Sequence, residues 1–335
     1  MRATRRRTAI ALILVVFALV VGVAWAPRNA ASLPAASAAP VPVVIGASGA
    51  NGEGRIETPG RRCADGGDGA YWNYDYGAAL AGGLFSALPG ELRLHLALHS
   101  DEVRFPNSGL PVAGAGAFLQ GDESFAVLAN DRGTVKLRLR SGDCDDHTLG
   151  FDGITAAGAG AWLVDAGQGA YRDVSGSGSF TFTADVAPGA DNPFDVALTG
   201  SLAVLQPTFD IEVVDTFWGG LGTDYVTRRP TVVFKITNTG PGDAFGAKVA
   251  QISSSTPGVA AINTQAGLAL GDLAAGDSEF VATRFQLGLL QPCQLVVLGC
   301  VFSTTTRISW ADALDVVTTP QLSRPATAPN LPPPL

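Results

Sequence analysis

The stretch Gly158 to Leu205 constrains the fold more than any other part of the chain, because it repeats on a nine-residue step. It reads GAGAWLVDA, GQGAYRDVS and GSGSFTFTA over 158–166, 167–175 and 176–184, so Trp162, Tyr171 and Phe180 fall at equivalent places behind paired glycines. Glycine reaches φ > 0 without a Cβ penalty, so each G-x-G reads as a tight turn and each aromatic as the start of a strand with a large side chain to bury. Phe180 and Phe182 alternate with Thr181 and Thr183, and Phe194, Val196 and Leu198 alternate with Asp195, Ala197 and Thr199. A period of two with one wet face marks a half-buried strand. The repeat therefore predicts an antiparallel meander with Trp162 and Phe180 toward one end of the sheet and Tyr171 toward the other. A parallel calcium-binding roll would need aspartates at fixed places, and Leu163, Arg172 and Thr181 follow the aromatics instead.

The same alternation recurs upstream. In ELRLHLALH (91–99) Leu92, Leu94, Leu96 and Leu98 share one face, leaving His95 and His99 on the other, about 13 Å apart and too distant for one metal. Further strands are predicted at 112–119, 123–129 and 133–140, and a short helix within 78–88. Tyr71 to Tyr76 (YWNYDY) puts Trp72, Tyr74 and Tyr76 on one face, read as rings closing a core in preference to a carbohydrate-stacking platform. SGDCDDHT (141–148) is an acidic loop with His147; lacking calcium-loop spacing, it reads as a solvated turn tied by Cys144. With 41 glycines and 16% charged residues, a turn-rich β protein fits better than a helical bundle.

Residues 1–26 carry Arg2, Arg5, Arg6 and Arg7 before an apolar run from Ala9 to Ala26. The run is long for a cleaved signal peptide and just long enough to span a bilayer, so cleaved signal and retained membrane anchor both stay open. Either places the body outside the cytoplasm, extracellular or at the cell surface. Removing the five arginines of the first 28 residues, which include Arg28, takes the formal charge from −8 to −13. So acidic a body repels phosphate backbones, and no nucleic acid is expected as partner. An exported chain meets an oxidising compartment, where Cys63, Cys144, Cys293 and Cys300 are expected to form disulfides. Three pairings are compatible with four cysteines; Cys63 with Cys144 and Cys293 with Cys300 is the most economical. No C-x-x-C occurs, and no metal or cofactor is expected.

Gln206-Pro207 interrupts the meander pattern, and mild proteolysis is expected to cut near Gln206 to Phe209. The expected organisation is an Ala/Pro/Ser-rich linker (27–43), a β-meander or barrel-like domain (44–206), a second β domain (207–319) and a Pro-rich disordered tail (320–335). The run GAWLVDAGQGAYRDVSGSGSFTF resembles the G-x-G-x-aromatic meander of bacterial proteins related to allene oxide cyclase and dirigent β-barrels. That resemblance covers about forty residues and implies a barrel-like sheet without carrying a catalytic residue across. In the second part, TVVFKITNTGPGDAFGAKVAQI (231–252), LALGDLAAGDSEFVATRFQL (268–287) and CVFSTTTRIS (300–309) resemble bacterial surface Ig-like modules of the CARDB type. This resemblance implies a β-sandwich of roughly a hundred residues. The fold class expected is thus all-β, an antiparallel meander or barrel-like domain followed by an Ig-like sandwich.

Catalytic signatures are missing from the sequence. Gly276-Asp277-Ser278 resembles the nucleophile block of a GDSL hydrolase, but no histidine follows His147 to serve as its base. No G-x-S-x-G, Walker A or H-E-x-x-H occurs. The acidic pairs Asp101 with Glu102 and Asp122 with Glu123 carry little weight for glycoside hydrolysis, since neighbours on a strand point to opposite faces. The expectation is a non-catalytic exported cell-envelope protein, structural or adhesive, with a cell-wall, glycan or protein partner. The alternatives are an extracellular glycan or small-ligand binder using the first domain, and a secreted hydrolase.

Overall fold

The period-two segments at 91–99, 133–140, 178–183 and 194–199 are strands in a computed structural model. It describes residues 39–57, 70–80, 89–100, 116–119, 122–152, 155–185, 192–219, 223–288 and 299–329. These lie within one compact unit, Ser37–Leu335. The chain is all-β: apart from one four-residue helix, α1 (Thr223–Val226), every described element is a strand.

The first ten strands are β1 (Val41–Glu57), β2 (Ala70–Leu80), β3 (Gly90–Ser100), β4 (Gly116–Leu119), β5 (Phe125–Asn130), β6 (Gly133–Arg140), β7 (Leu149–Phe151), β8 (Thr155–Gly169), β9 (Ser175–Asp185) and β10 (Asn192–Ala203). They form one antiparallel sheet that closes on itself. Ladders run β1–β2–β3–β5–β6–β8–β9–β10, and β10 returns to β1, while β4 and β7 fill the same gap between β3 and β8 further along. A closed barrel leaves no edge strand on that circuit. Its inward residues, among them Ile45, Leu92, Leu96, Leu128, Leu137, Leu139, Phe180 and Leu198, form one buried cluster that fills the interior.

The nine-residue repeat folds as the antiparallel meander; Gly169, at φ 66°, opens the β8–β9 turn as expected, but the other two glycine pairs do a different job. Trp162 lies within β8 and Phe180 within β9, close to one another (Gly160 pairs with Phe180, Trp162 with Gly178), and Tyr171 sits far from both in the β8–β9 turn. The pairs Gly158-x-Gly160 and Gly176-x-Gly178 are strand interior. Gly160 and Gly178, with Gly200 of β10, make room for rings: a Cβ at Gly178 or Gly200 would stand 2.6 or 2.5 Å from the Trp162 indole, and one at Gly160 would stand 2.7 Å from the Phe180 ring. Trp162 thus lies flat across β9 and β10, its Nε1–H donating to Ser179 O and Thr199 O (3.0 and 3.1 Å).

The remaining strands are β11 (Phe209–Phe217), β12 (Thr231–Asn238), β13 (Ala244–Ser254), β14 (Val259–Ala261), β15 (Leu268–Leu273), β16 (Ser278–Leu287), β17 (Cys300–Ala311), β18 (Val317–Thr318) and β19 (Gln321–Ala328). They make two antiparallel sheets, β11-β12-β16-β14 and β15-β13-β17 with β18 and β19 on the far side of β17. Phe209, Val232, Phe234 and Phe285 from the first sheet share one core with Val249, Phe302, Ile308 and Trp310 from the second. Asn238, which ends β12, is fully buried and ties this unit together. Its Nδ2 donates to Gly242 O and Leu273 O, and its Oδ1 accepts from the N–H groups of Thr208 and Gly240. The Gly276-Asp277-Ser278 triplet is a hairpin corner: Gly276 has φ 91°, and Asp277 N–H donates to Ala274 O.

Two expected boundaries move, and one junction differs in character. β1 begins at Val41, inside the segment expected to be linker, because Val41 already pairs with Leu202. Gln321–Ala328, expected to be disordered tail, is strand β19, paired with β17 from Cys300–Ala328 to Arg307–Gln321. Pro325 is compatible with it because β19 lies at the edge of its sheet. The junction between β10 and β11 is not an exposed linker: Val204 and Pro207 are buried, and Gln206 Nε2 donates to Asp312 Oδ2 (2.8 Å). Residues 1–26, most of the 27–43 segment, Cys63, Asp101, Glu102, residues 81–88, Cys293 and residues 330–335 lie outside the described residues. Neither described cysteine, Cys144 or Cys300, is free. Among the described residues no helix is long and apolar enough to cross a membrane.

Candidate functional site

The most elaborate polar arrangement in the described chain lies where one end of the barrel meets the two-sheet unit. Two hairpin turns supply the barrel's share. Asn130 pairs with Gly133 across the two-residue turn Asp131-Arg132, and Asn130 Oδ1 accepts from Arg132 N–H (2.9 Å). Ala170 N–H in the β8–β9 turn donates to Arg132 O (2.9 Å), fixing the two turns side by side. Beneath them Tyr171 is wholly buried, and its hydroxyl accepts from Asn130 Nδ2 (2.7 Å). The ring of the repeat's middle member thus supports the turns that carry Arg132 and Arg172.

The other share is the turn after β17. Asp312 Oδ1 accepts from Leu314 N–H and Val316 N–H (2.8 and 3.0 Å), which is how a carboxylate organises a tight turn. Asp315, at φ 63°, completes it in the left-handed region that aspartate tolerates. This turn is pushed into the barrel mouth: Ala313 (2% exposed) and Leu314 (8%) belong to the barrel's core cluster, with Phe245 packed against it. Leu314 therefore works as a stopper for a cavity that its own unit does not build.

Charge then locks the stopper. Arg132 donates to Asp312 O and Ala313 O (3.3 and 3.1 Å), pairs with Asp315 Oδ1 at 2.8 Å, and lies 4.1 Å from the centroid of the Phe245 ring. Arg172 grips Asp243 with both terminal nitrogens (3.0 and 3.0 Å) and donates to Pro241 O (2.8 Å). The Arg172 guanidinium holds the Asp243 carboxyl below the usual carboxylate range; burial works against that, and the Ala275 N–H reinforces it. Asp243 in turn raises the Arg172 pKa. A forked guanidinium on a carboxylate fixes orientation as well as energy.

Between the two shares runs an open cleft of about 840 Å³, lined among others by Asp131, Arg172, Asp243, Lys248, Asp272 and Trp310. Its chemistry is poor. Asp243 is occupied by Arg172, and Asp272 accepts from Gly246 N–H (2.8 Å). Trp310 is buried against Phe209 (4.6 Å between centroids) and offers no open face for stacking. The histidines are elsewhere: His95 and His99 lie on β3, His99 only 3% exposed, and His147 lies in the loop before β7. His95 meets Asp75 at 2.7 Å and His99 meets Glu123 at 3.1 Å, each on its own carboxylate. Phe118 stacks with both His99 and His147 (5.2 and 5.8 Å). Because Gly90 pairs with Asn130 beside the cleft, His99 lies nine strand residues away, about 30 Å along β3. Tyr76 is buried against Phe194 (4.8 Å), a ring that closes the core; the side chains of Trp72 and Tyr74 are outside the described residues. Among the described residues no cluster of His, Cys, Asp and Glu could hold a metal ion.

No protein-family model, no curated protein and no solved structure matches this chain.

Asp312 and Asp315 are turn and latch groups. Arg132, Arg172, Asp243 and Leu314 were not anticipated. Their partners are distant in the sequence, and no local spacing signals such a pairing.

Proposed function

We propose that the protein is a non-catalytic, exported component of the cell envelope, with a structural or adhesive role, whose barrel and Ig-like unit act as one stiff body. The observation that carries this reading is the latch: the strongest charged groups of the cleft are spent on joining the two units, which leaves them unavailable for proton transfer or ligand binding. The strand orders β11-β12-β16 and β15-β13-β17-β19 support an Ig-like reading of the second unit. Export rests on residues 1–26, and an oxidising compartment suits the proposed pairs Cys63 with Cys144 and Cys293 with Cys300, which non-reducing peptide mapping would test. A barrel filled by Tyr171, Phe180 and leucines gives no support to small-ligand binding in its interior.

The test is protease shaving of intact cells that express the full chain, followed by pull-down with purified cell wall. Surface-exposed protein retained by the wall, with no turnover of ester, glycoside or phosphate substrates, is expected. Protein confined to the cytoplasm, or turnover of any of those substrates, would overturn the reading.

A further inference from the structure

Residues Asp215 to Arg229 fall outside the Ig-like sequence pattern, and they contain an aromatic pair with a specific occupant. Trp218 is half-buried against the core of the two-sheet unit, and Tyr225 of α1 meets it edge to face, 5.3 Å between centroids at 86°. The Trp218 Nε1–H donates to the carbonyl of Pro329 at 2.9 Å. Pro329 directly follows β19, and the sequence then continues Asn330-Leu331-Pro332-Pro333-Pro334-Leu335. Next to the pair in the sequence, Phe217 is 42% and Val226 80% exposed.

Those features match the physics of polyproline recognition. A polyproline II segment has no internal hydrogen bonds, so its carbonyls need outside donors, and its pyrrolidine rings pack on flat aromatic faces. An indole can supply both the donor and the face. We infer that Trp218 and Tyr225 form a polyproline-binding notch whose occupant is the chain's own segment 330–335. The first carbonyl is already held at Pro329, so the rest of the segment is delivered at high effective concentration. At about 3.1 Å per residue, six residues in polyproline II reach about 19 Å, long enough to run on from Pro329 past the aromatic pair.

Position gives the contact a purpose. β11 and β19 are the edges where the two sheets meet, joined by Arg324, which donates to Ile211 O (2.7 Å) and pairs with Asp210. Unpaired strand edges invite pairing with another chain. A Pro-rich segment held at the end of that seam offers few N–H donors of its own to another chain.

The experiment uses the full chain labelled with 5-fluorotryptophan, whose five tryptophans give separate fluorine resonances. The Trp218 resonance is assigned through Trp218→Phe. Two tail variants are compared with the parent, one ending at Pro329 and one with Pro332, Pro333 and Pro334 all changed to Ser, neither touching a core residue. Both should move the Trp218 resonance and leave those of Trp162 and Trp310 in place. A peptide of residues 329–335 should restore the parent shift saturably in the truncated chain and have no effect on the parent. An unmoved Trp218 resonance, or a shift that the three-serine variant fails to reproduce, would overturn the proposal. Restoration by a peptide of residues 27–43 in place of 329–335 would equally overturn the assigned occupant.

Discussion

Tyr171 is the residue at which core, turn and latch meet, so its removal has a cost that can be divided. Its side chain is wholly buried, and its hydroxyl accepts from Asn130 Nδ2 at 2.7 Å. Truncating a buried aromatic to alanine costs about 3–5 kcal/mol. The hydrogen bond accounts for about 1 kcal/mol of this. Tyr171→Phe should therefore lose about 1 kcal/mol and Tyr171→Ala about 3–5 kcal/mol, the difference being the ring. Urea unfolding of the full chain, followed by far-UV and near-UV circular dichroism, would measure both. The two probes should give the same midpoint in the parent. Tyr171→Ala with a loss under about 1 kcal/mol would refute a supporting role for the ring. So would a phenylalanine variant as unstable as the alanine one, because the ring would then contribute nothing.

Three other outcomes are expected. Gly178→Ala should destabilise by about 1–3 kcal/mol in thermal melts, since its methyl would stand 2.6 Å from the Trp162 indole with backbone close on the other side. Thr283→Val should raise the melting temperature, because the Thr283 Oγ1 is buried with no hydrogen-bond partner among the described residues; removing such a group is worth about 1 kcal/mol or more. The contribution of Asp243 should depend on pH with a definite sign. Its folded pKa is depressed, so its stabilising effect is present above the unfolded value of about 3.9 and fades as pH falls through the folded value. Unfolding titrations of the parent and Asp243→Asn should differ at pH 6 and converge below about pH 4; a constant difference would contradict the pairing with Arg172.

The fold was legible wherever burial follows a period of two. Leu92 to Leu98, Val135 to Leu139, Phe180 to Phe182 and Phe194 to Leu198 announce strands because every second residue of each is apolar and buried. The glycines misled for a physical reason: a glycine that frees the backbone for a turn and one that vacates space for a ring have the same sequence. Only the position of the Trp162 indole across Gly178 and Gly200 separates the two. β19 escaped notice because Pro320 and Pro325 suggest an extended tail, and whether a proline lies on a sheet edge is a tertiary fact. The latch was illegible for a related reason. Arg132 and Arg172 look like ordinary turn residues, and nothing near them specifies Asp315 or Asp243 as partner. In the turn ADALD (311–315), Asp312 accepts from Leu314 N–H as an aspartate in a turn commonly does, but Leu314 reads as a residue of its own unit and is buried in another.

Amide hydrogen exchange on Leu314→Ala tests the coupling of the two units most directly. The substitution lies in the two-sheet unit's chain segment, yet the side chain it removes fills the barrel. If the units open as one body, the slowest-exchanging amides of β6 and β8 in the barrel lose protection together with those of β13 and β17, equivalent to about 2–5 kcal/mol for a buried leucine. If protection falls only within residues 300–329 while β6 and β8 exchange as in the parent, the barrel is independent of its stopper and the account is wrong.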